Sequence, residues 1–423
     1  MGQKCGLIVQ GEDWDMWISC SSFHPSLSLS LSLPLSLSPS LQFGFRPNHS
    51  TEHALCHLCY DIHSIIDNKG YQISVFCYLS KAFDSLSHNI LLDKLKVYGI
   101  RGVALKWFQS YLGSRMQYTV YNDCLSSSTS IRYGVPQGSI LGPILFLLYI
   151  NDITRCTDRL KFLLFADDTT VYIQGHDLNA MKHTLNQELK HVSNWIKCNK
   201  LTLNLSKTYS MLSASLLSHS SKIDIFIDDV LLQQTEQCKF LGIILDCKLK
   251  WKPQISQIIC RISKLTGIFF KLRNTITKEC LQQLYLSVVY PHLLYCASIW
   301  GGAFHTYLDK VSISQKKLIR IITFNHRYAH TDPLHDILAM QTYLFVYKSL
   351  NSQIIKAYQY MSENPNIGRP YDLKIPLCRT TFTQRFIAYR GAQLWNQLPD
   401  DIKKLKSLQT FKTKIKLMLM DSY

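Results

Sequence analysis

The sequence predicts an α+β protein, and three observations carry that prediction. Residues 162–173, FLLFADDTTVYI, place apolar, β-branched and aromatic runs on either side of a tight turn, the pattern of a β-hairpin. Behind it, Leu178, Met181, Leu185, Leu189, Val192 and Ile196 recur at helical spacing and form one apolar stripe suited to packing on a sheet. Beyond about residue 250 the chain becomes mainly helical and more basic.

Residues 26–40, SLSLSLSLPLSLSPS, alternate Ser and Leu with the monotony of a low-complexity tract. Ser interrupts any apolar core a signal peptide would need, and Met1 to Trp14 lacks a basic n-region. Residues 1–41 are therefore left out of the predicted fold. From Gln42 onward the periodicity predicts a helix over 51–67, a strand over 72–79, and a helix over 88–98 with Ile90, Leu91, Leu95 and Tyr98 on one side. A further helix is expected from Val103 to Leu112, then a hairpin-like stretch from Met116 to Val120. GVPQGS breaks the chain before an apolar helix from Ile140 to Tyr149, and the acidic hairpin follows. Residues 331–423 hold helical patches and Lys-rich stretches such as KKLK and FKTKIK, without evident chemistry.

At 423 residues the chain is long enough for two or three domains. A net charge of +17 and a pI near 9.2 point to a polyanionic partner, nucleic acid before an anionic membrane surface. No run of about 18 apolar residues is present, so no spanning helix is expected. The 14 cysteines are scattered, which suits a reducing compartment. Cys56 and Cys59 form the one C-x-x-C pair, but they fall on a helical pattern with Leu55, Leu58, Ile62 and Ile65, and no second pair completes a zinc site.

The chemistry lies at the hairpin tip. Asp167 and Asp168 bring like charges together, which calls for a compensating hard divalent cation, magnesium first among them, and with it phosphoryl transfer. Read alone, the dipeptide is more simply a polar turn than a metal site.

Several motifs in one order settle the choice. They are QFGFRPNHST (42–51), LSKAFDSLSHNILLDKL (79–95), GVPQGSILGPILFLLYINDI (134–153), FADDT (165–169), LTLNLSKT (201–208) and KFLGIILD (239–246). Together they resemble the reverse transcriptase of non-LTR (LINE-type) retrotransposons, and the similarity runs on through LYLSVVYPHLLYCASIWGG and QKKLIRII to LWNQLPDDIKKLKSLQTFK. The resemblance implies a right-hand polymerase. Partial fingers and palm would occupy 42–235, primer grip and helical thumb 236–330, and a basic C-terminal extension 331–423. It also implies RNA template, DNA primer and deoxynucleoside triphosphates as partners, two magnesium ions as cofactors, and nuclear residence.

In that family a primer hydroxyl attacks the α-phosphate of a bound nucleotide between two magnesium ions held by three carboxylates. Asp167 and Asp168 match two of them. The third belongs at position 78, where this chain has tyrosine. A phenol with a pKa of about 10 is neutral at physiological pH and offers one weak oxygen to a hard cation. Asp84, six residues on, lies past the strand and is not expected to reach the same position. The upstream finger strands of the family are also expected to be absent, their place taken by the Ser-Leu tract, and no endonuclease domain is expected before it.

Other matched positions are intact. Phe83 matches an aromatic gate against ribonucleotides and equally suits core packing. Pro136, Gln137 and Gly138 match the loop shaping the nucleotide pocket, Lys207 a proton donor to pyrophosphate, and Phe240, Leu241 and Gly242 the primer grip. Lys316, Lys317 and Arg320 fall on a helix and either track phosphates or form a solvated face. The sequence thus predicts an RNA-directed DNA polymerase of degenerate, inactive form. The alternatives are a catalytically silent nucleic-acid-binding module and an unfolded product of a decayed element.

Overall fold

The structure, a computed structural model, describes residues 6–10, 41–113, 115–214, 222–324, 333–351 and 371–420. The Ser-Leu tract lies outside the described residues.

At the centre is a five-stranded sheet of order β11-β8-β2-β7-β6: Gln233–Gln234, Tyr209–Ala214, Tyr71–Tyr78, Asp168–Gly175 and Lys161–Phe165. Its four long strands pair antiparallel, while short β11 runs parallel to β8. The middle strand β2 is buried on both faces because both are covered. Its side chains alternate. Ile73, Val75 and Cys77 enter one core with Leu145 and Leu148 of α4 (Leu141–Ile150) and with Leu185, Leu189 and Val192 of α5 (Leu178–Cys198). Phe76 enters the other, beside Leu55, Leu58 and Ile62 of α1 (Thr51–Asp67). Local caps fix these helices: Ser50 accepts the His53 amide at the start of α1, and Asp177 accepts those of Asn179 and Ala180 at the start of α5.

Between β2 and α4 lie α2 (His88–Val97), α3 (Gly102–Leu112) and a small sheet of β3 (Met116–Tyr121), β4 (Cys124–Leu125) and β5 (Thr129–Ser130). This sheet takes in a strand the sequence reading excluded. Gly6–Gln10 forms β1, antiparallel to β3 with Gly6 opposite Val120 and Gln10 opposite Met116. The run GLIVQ has strand-forming residues, and β3 offers an open edge for them.

Beyond β8 come two small hairpins, β9 (Phe226–Ile227) with β10 (Val230–Leu231), and β12 (Gln237–Phe240) with β13 (Ile243–Asp246). Helices α6 (Lys252–Leu272), α7 (Lys278–Leu284) and α8 (His305–Thr323) then pack on the α1 side of the sheet. The last segment belongs to the same core. Val346 of α9 (Pro333–Asn351), Trp395 of α10 (Ile387–Asn396) and Phe411 of α11 (Leu408–Met420) are buried, and Phe411 stacks on Tyr347 with centroids 4.3 Å apart. The C-terminal region is therefore not the appendage its basic composition suggested.

Candidate active site

β6 and β7 meet in a two-residue turn, Ala166 and Asp167, so Asp167 occupies the tip and Asp168 begins β7. Ala166 is left-handed at φ 54°. Short hairpins demand that conformation, which non-glycine residues resist. Residues 41–44 back this turn as a short parallel run along β6, with Leu164 donating to Leu41 and Phe43 donating to Leu164.

Across the sheet, Tyr78 is the register partner of Asp168, so the two share a face. The Tyr78 hydroxyl lies 3.3 Å from that of Tyr209 and 3.2 Å from the Lys239 carbonyl in β12, which Tyr209 also reaches at 3.4 Å. Each phenol has one proton, so one donates to the carbonyl and the other to its neighbour. Desolvation raises both phenol pKa values, and both stay neutral. Burial, then the neighbouring Asp167 charge, pushes Asp168 up to about 6.

The strand end carrying Tyr78 is held by the 201–208 segment: Asn204 donates to the Tyr78 carbonyl and the Thr208 hydroxyl accepts the Tyr78 amide. Lys207 sits exposed in that turn, its amide bound to Asn204.

Phe83 stacks on Phe146 at 4.7 Å and meets Phe45 edge-on at 6.5 Å, which joins the core-packing role to a half-buried position. The next residue, Asp84, accepts a 2.8 Å bond from the Gln137 amide and so is engaged with the 134–138 loop. Val135 donates to the Phe83 carbonyl and Gly134 to that of Leu86. A Cβ on Gly134, at φ +78°, would stand 2.8 Å from the Asp84 carbonyl oxygen, so only glycine permits this approach. Pro136 is half-buried, and Gln137 and Gly138 are exposed at the loop tip.

Leu241 and Gly242, both at positive φ, form the two-residue turn of the β12–β13 hairpin. Phe240 is buried against Phe76 at 5.1 Å. Tyr295 clamps the turn: its hydroxyl donates to the Leu241 carbonyl at 2.7 Å and lies 3.2 Å from the Thr51 hydroxyl. Farther off, on α8, Lys317 is exposed whereas Lys316 and Arg320 are half-buried and already engaged within the protein.

The structure thus gathers Tyr78, Asp168 and the turns of Asp167, Lys207 and the β12–β13 hairpin around one end of the sheet, with the α8 basic residues on a separate element. Among the described residues no group of three His, Cys, Asp or Glu side chains lies close enough to hold a metal ion. The donors do not fit a two-ion centre: two carboxylates stand beside a phenol whose oxygen is bound to the next hairpin. Sequence reasoning missed Gln42, Tyr209, Asn204 and Tyr295. Gln42, Asn204 and Tyr295 lay inside quoted motifs and were legible as candidates; Tyr209, just past LTLNLSKT, gave no signal until the hairpin was placed.

A profile of the reverse transcriptase (RNA-dependent DNA polymerase) family matches residues 27–245, just over half of the 423-residue chain. The chain is 29% identical over 321 residues to the probable RNA-directed DNA polymerase from transposon BS of Drosophila melanogaster, covering 72% of this chain and 34% of that one. It is 27% identical to the RNA-directed DNA polymerase from mobile element jockey of the same species, covering 69% and 33%. The chain thus spans about a third of the length of these relatives. Among solved structures, apo telomerase from Candida tropicalis aligns over 81% of this chain and 59% of its own at 12% identity, with a TM-score of 0.40, a likeness too slight to argue from. No helix among the described residues is long and apolar enough to cross a membrane. On the profile match the chain belongs to the reverse transcriptase (RNA-dependent DNA polymerase) family, as its resemblance to the non-LTR retrotransposon enzymes implied.

Proposed function

We propose that this chain is a reverse transcriptase core of a non-LTR retrotransposon whose nucleotidyl transfer is silenced at Tyr78 and whose hold on nucleic acid persists. The observation that carries the reading is the pairing of Tyr78 with Asp168, where the family pattern calls for a third carboxylate. With that ligand gone, two magnesium ions lack the donors to sit between primer hydroxyl and nucleotide. Asp167 and Asp168 keep the acidic tip, and the raised pKa of Asp168 marks a carboxyl poorly compensated for its surroundings.

The remaining parts suit a binding role. The palm and partial fingers are assigned to 42–235, the primer grip and thumb to 236–330. Phe83, Pro136, Gln137 and Gly138 would face a deoxynucleoside triphosphate, Lys207 its pyrophosphate, and Phe240, Leu241 and Gly242 the primer end. The +17 charge favours an RNA template paired with a DNA primer. Action on DNA places the protein in the nucleus, which cell fractionation would check.

The test is primer extension on an RNA template with magnesium or manganese, beside Tyr78→Asp under the same conditions. We expect extension from the variant alone. Each tenfold in rate is about 1.4 kcal/mol of barrier, and loss of a shared ligand should cost several such factors. Extension by the unmodified chain at the variant's rate would overturn the reading. Salt-sensitive binding without extension by either protein would leave only the silent binding module.

A further inference from the structure

We infer that Gln42 is a positioning residue for the acidic turn, holding Asp167 and Asp168 in place through the backbone of Ala166. Its side chain is 2% exposed, and its Oε1 accepts two amides, that of Gly44 at 2.9 Å and that of Ala166 at 3.2 Å. Ala166 is the left-handed residue of the turn and immediately precedes both carboxylates. Its amide points out of the β6–β7 ladder, so a side-chain acceptor is what satisfies it.

Gly44 makes the reach possible. A Cβ there would stand 2.4 Å from the Ala166 nitrogen and 3.1 Å from the Phe165 carbonyl carbon, both rigid backbone atoms. The two backbones touch because position 44 has no side chain, and the Gln42 amide fits into the contact. The bond has a cost, since the Gln42 Nε2 is buried without a partner. An apolar residue would avoid that orphan, but it would leave two backbone amides unpaired instead. Gln42 and Gly44 therefore act as one unit with the acidic turn, although Gln42 and Ala166 lie 124 positions apart in sequence.

The functional consequence rests on the role proposed for the acidic turn; the measurement does not. With uniform 15N labelling of the full chain, we expect slow exchange of the Ala166 amide, at least about tenfold faster in Gln42→Leu, while the amides of Val171 and Tyr172 in β7 stay protected. Gln42→Glu keeps the acceptor and should retain slow exchange, which tests the bond even where the leucine variant fails to fold. A core-filling role for Gln42 predicts a general loss of stability with no selective change at Ala166. Rapid Ala166 exchange in the unmodified chain, unchanged exchange in folded Gln42→Leu, or lost protection in Gln42→Glu would each overturn the inference. In a Tyr78→Asp background that extends primers, Gln42→Leu should lower kcat while KM for nucleotide stays within about twofold. Absence of extension would count against the proposed function and leave the exchange result to decide Gln42.

Discussion

Tyr78 and Asp168 stand opposite each other in the β2–β7 register, and the phenol of Tyr78 is bound to the Lys239 carbonyl of the adjoining hairpin. The tyrosine at position 78 therefore makes a structural contact of its own. Its side chain ties the strand beside the acidic turn to the strand that ends in Phe240.

Tyr78→Asp is accordingly two changes at once. It removes the phenol's bonds and its packing on Tyr209, and it sets a third carboxylate beside Asp168. Without metal we expect a loss of about 1–3 kcal/mol in urea unfolding, partly recovered by millimolar manganese. Tyr78→Phe removes the hydroxyl alone and should cost about 1 kcal/mol, with no response to manganese.

Asp168 gives a pH dependence whose sign is opposite to that of a paired carboxylate. Its folded pKa is raised from 3.8 to about 6, so the folded state holds the proton more tightly than the unfolded one. The associated stability is complete below pH 3.8 and is lost as pH rises through about 6. Asp168→Asn imitates the protonated form. It should stabilise the protein at pH 8 by about 1 kcal/mol, a figure discounted for partial solvent screening, and the gain should vanish near pH 4. Unfolding curves at the two pH values check it; a gain that persists at pH 4 would count against this cause.

The central sheet was legible because its strands and helices carry their own periodicities. The 72–79 strand, the acidic hairpin and the Leu178 stripe all lie within a residue or two of their observed bounds. What was not legible depended on distant partners. Gly6–Gln10 is five residues set aside with the rest of 1–41, too short a run to stand as a strand by itself; it becomes one because β3 has a free edge. The C-terminal segment reads as basic because of the Lys-rich stretches KKLK and FKTKIK, while the burial of its apolar side chains is decided by α1 and the helices before them. Tyr78 stood out in the sequence by its place beside the LSKAFD motif, while its hold on Lys239 was not legible, since the two lie 161 positions apart.

Arg390 tests that integration. It lies on α10, and its guanidinium donates to the carbonyls of Ser298 and Gly301, residues just before α8. Burial brings its pKa down to about 10, so it remains charged at neutral pH. Arg390→Met would leave both carbonyls short of a donor, and we expect a loss of about 2–4 kcal/mol in chemical denaturation. A second link makes the same point: Asp67 at the end of α1 accepts the Arg379 amide and the Thr380 hydroxyl. Asp67→Ala should therefore increase proteolysis around residue 380 as well as near α1.

Nucleic-acid binding should separate Lys316, Lys317 and Arg320 of α8. Lys317 is exposed, so it can neutralise a phosphate without losing any contact within the fold. Lys316 and Arg320 are half-buried and engaged, so replacing them removes internal interactions first. We expect Lys317→Gln to weaken binding to an RNA–DNA primer–template uniformly across sequences and to lower the slope of log affinity against log salt by about 1, with the unfolding midpoint unchanged. Lys316→Gln and Arg320→Gln should instead lower that midpoint and leave the salt slope nearer the unmodified value. Fluorescence anisotropy over a salt series, paired with thermal unfolding of each variant, distinguishes the two behaviours. If Lys317→Gln changes neither affinity nor slope, α8 presents a solvated face and the phosphate contacts must lie elsewhere on this basic chain.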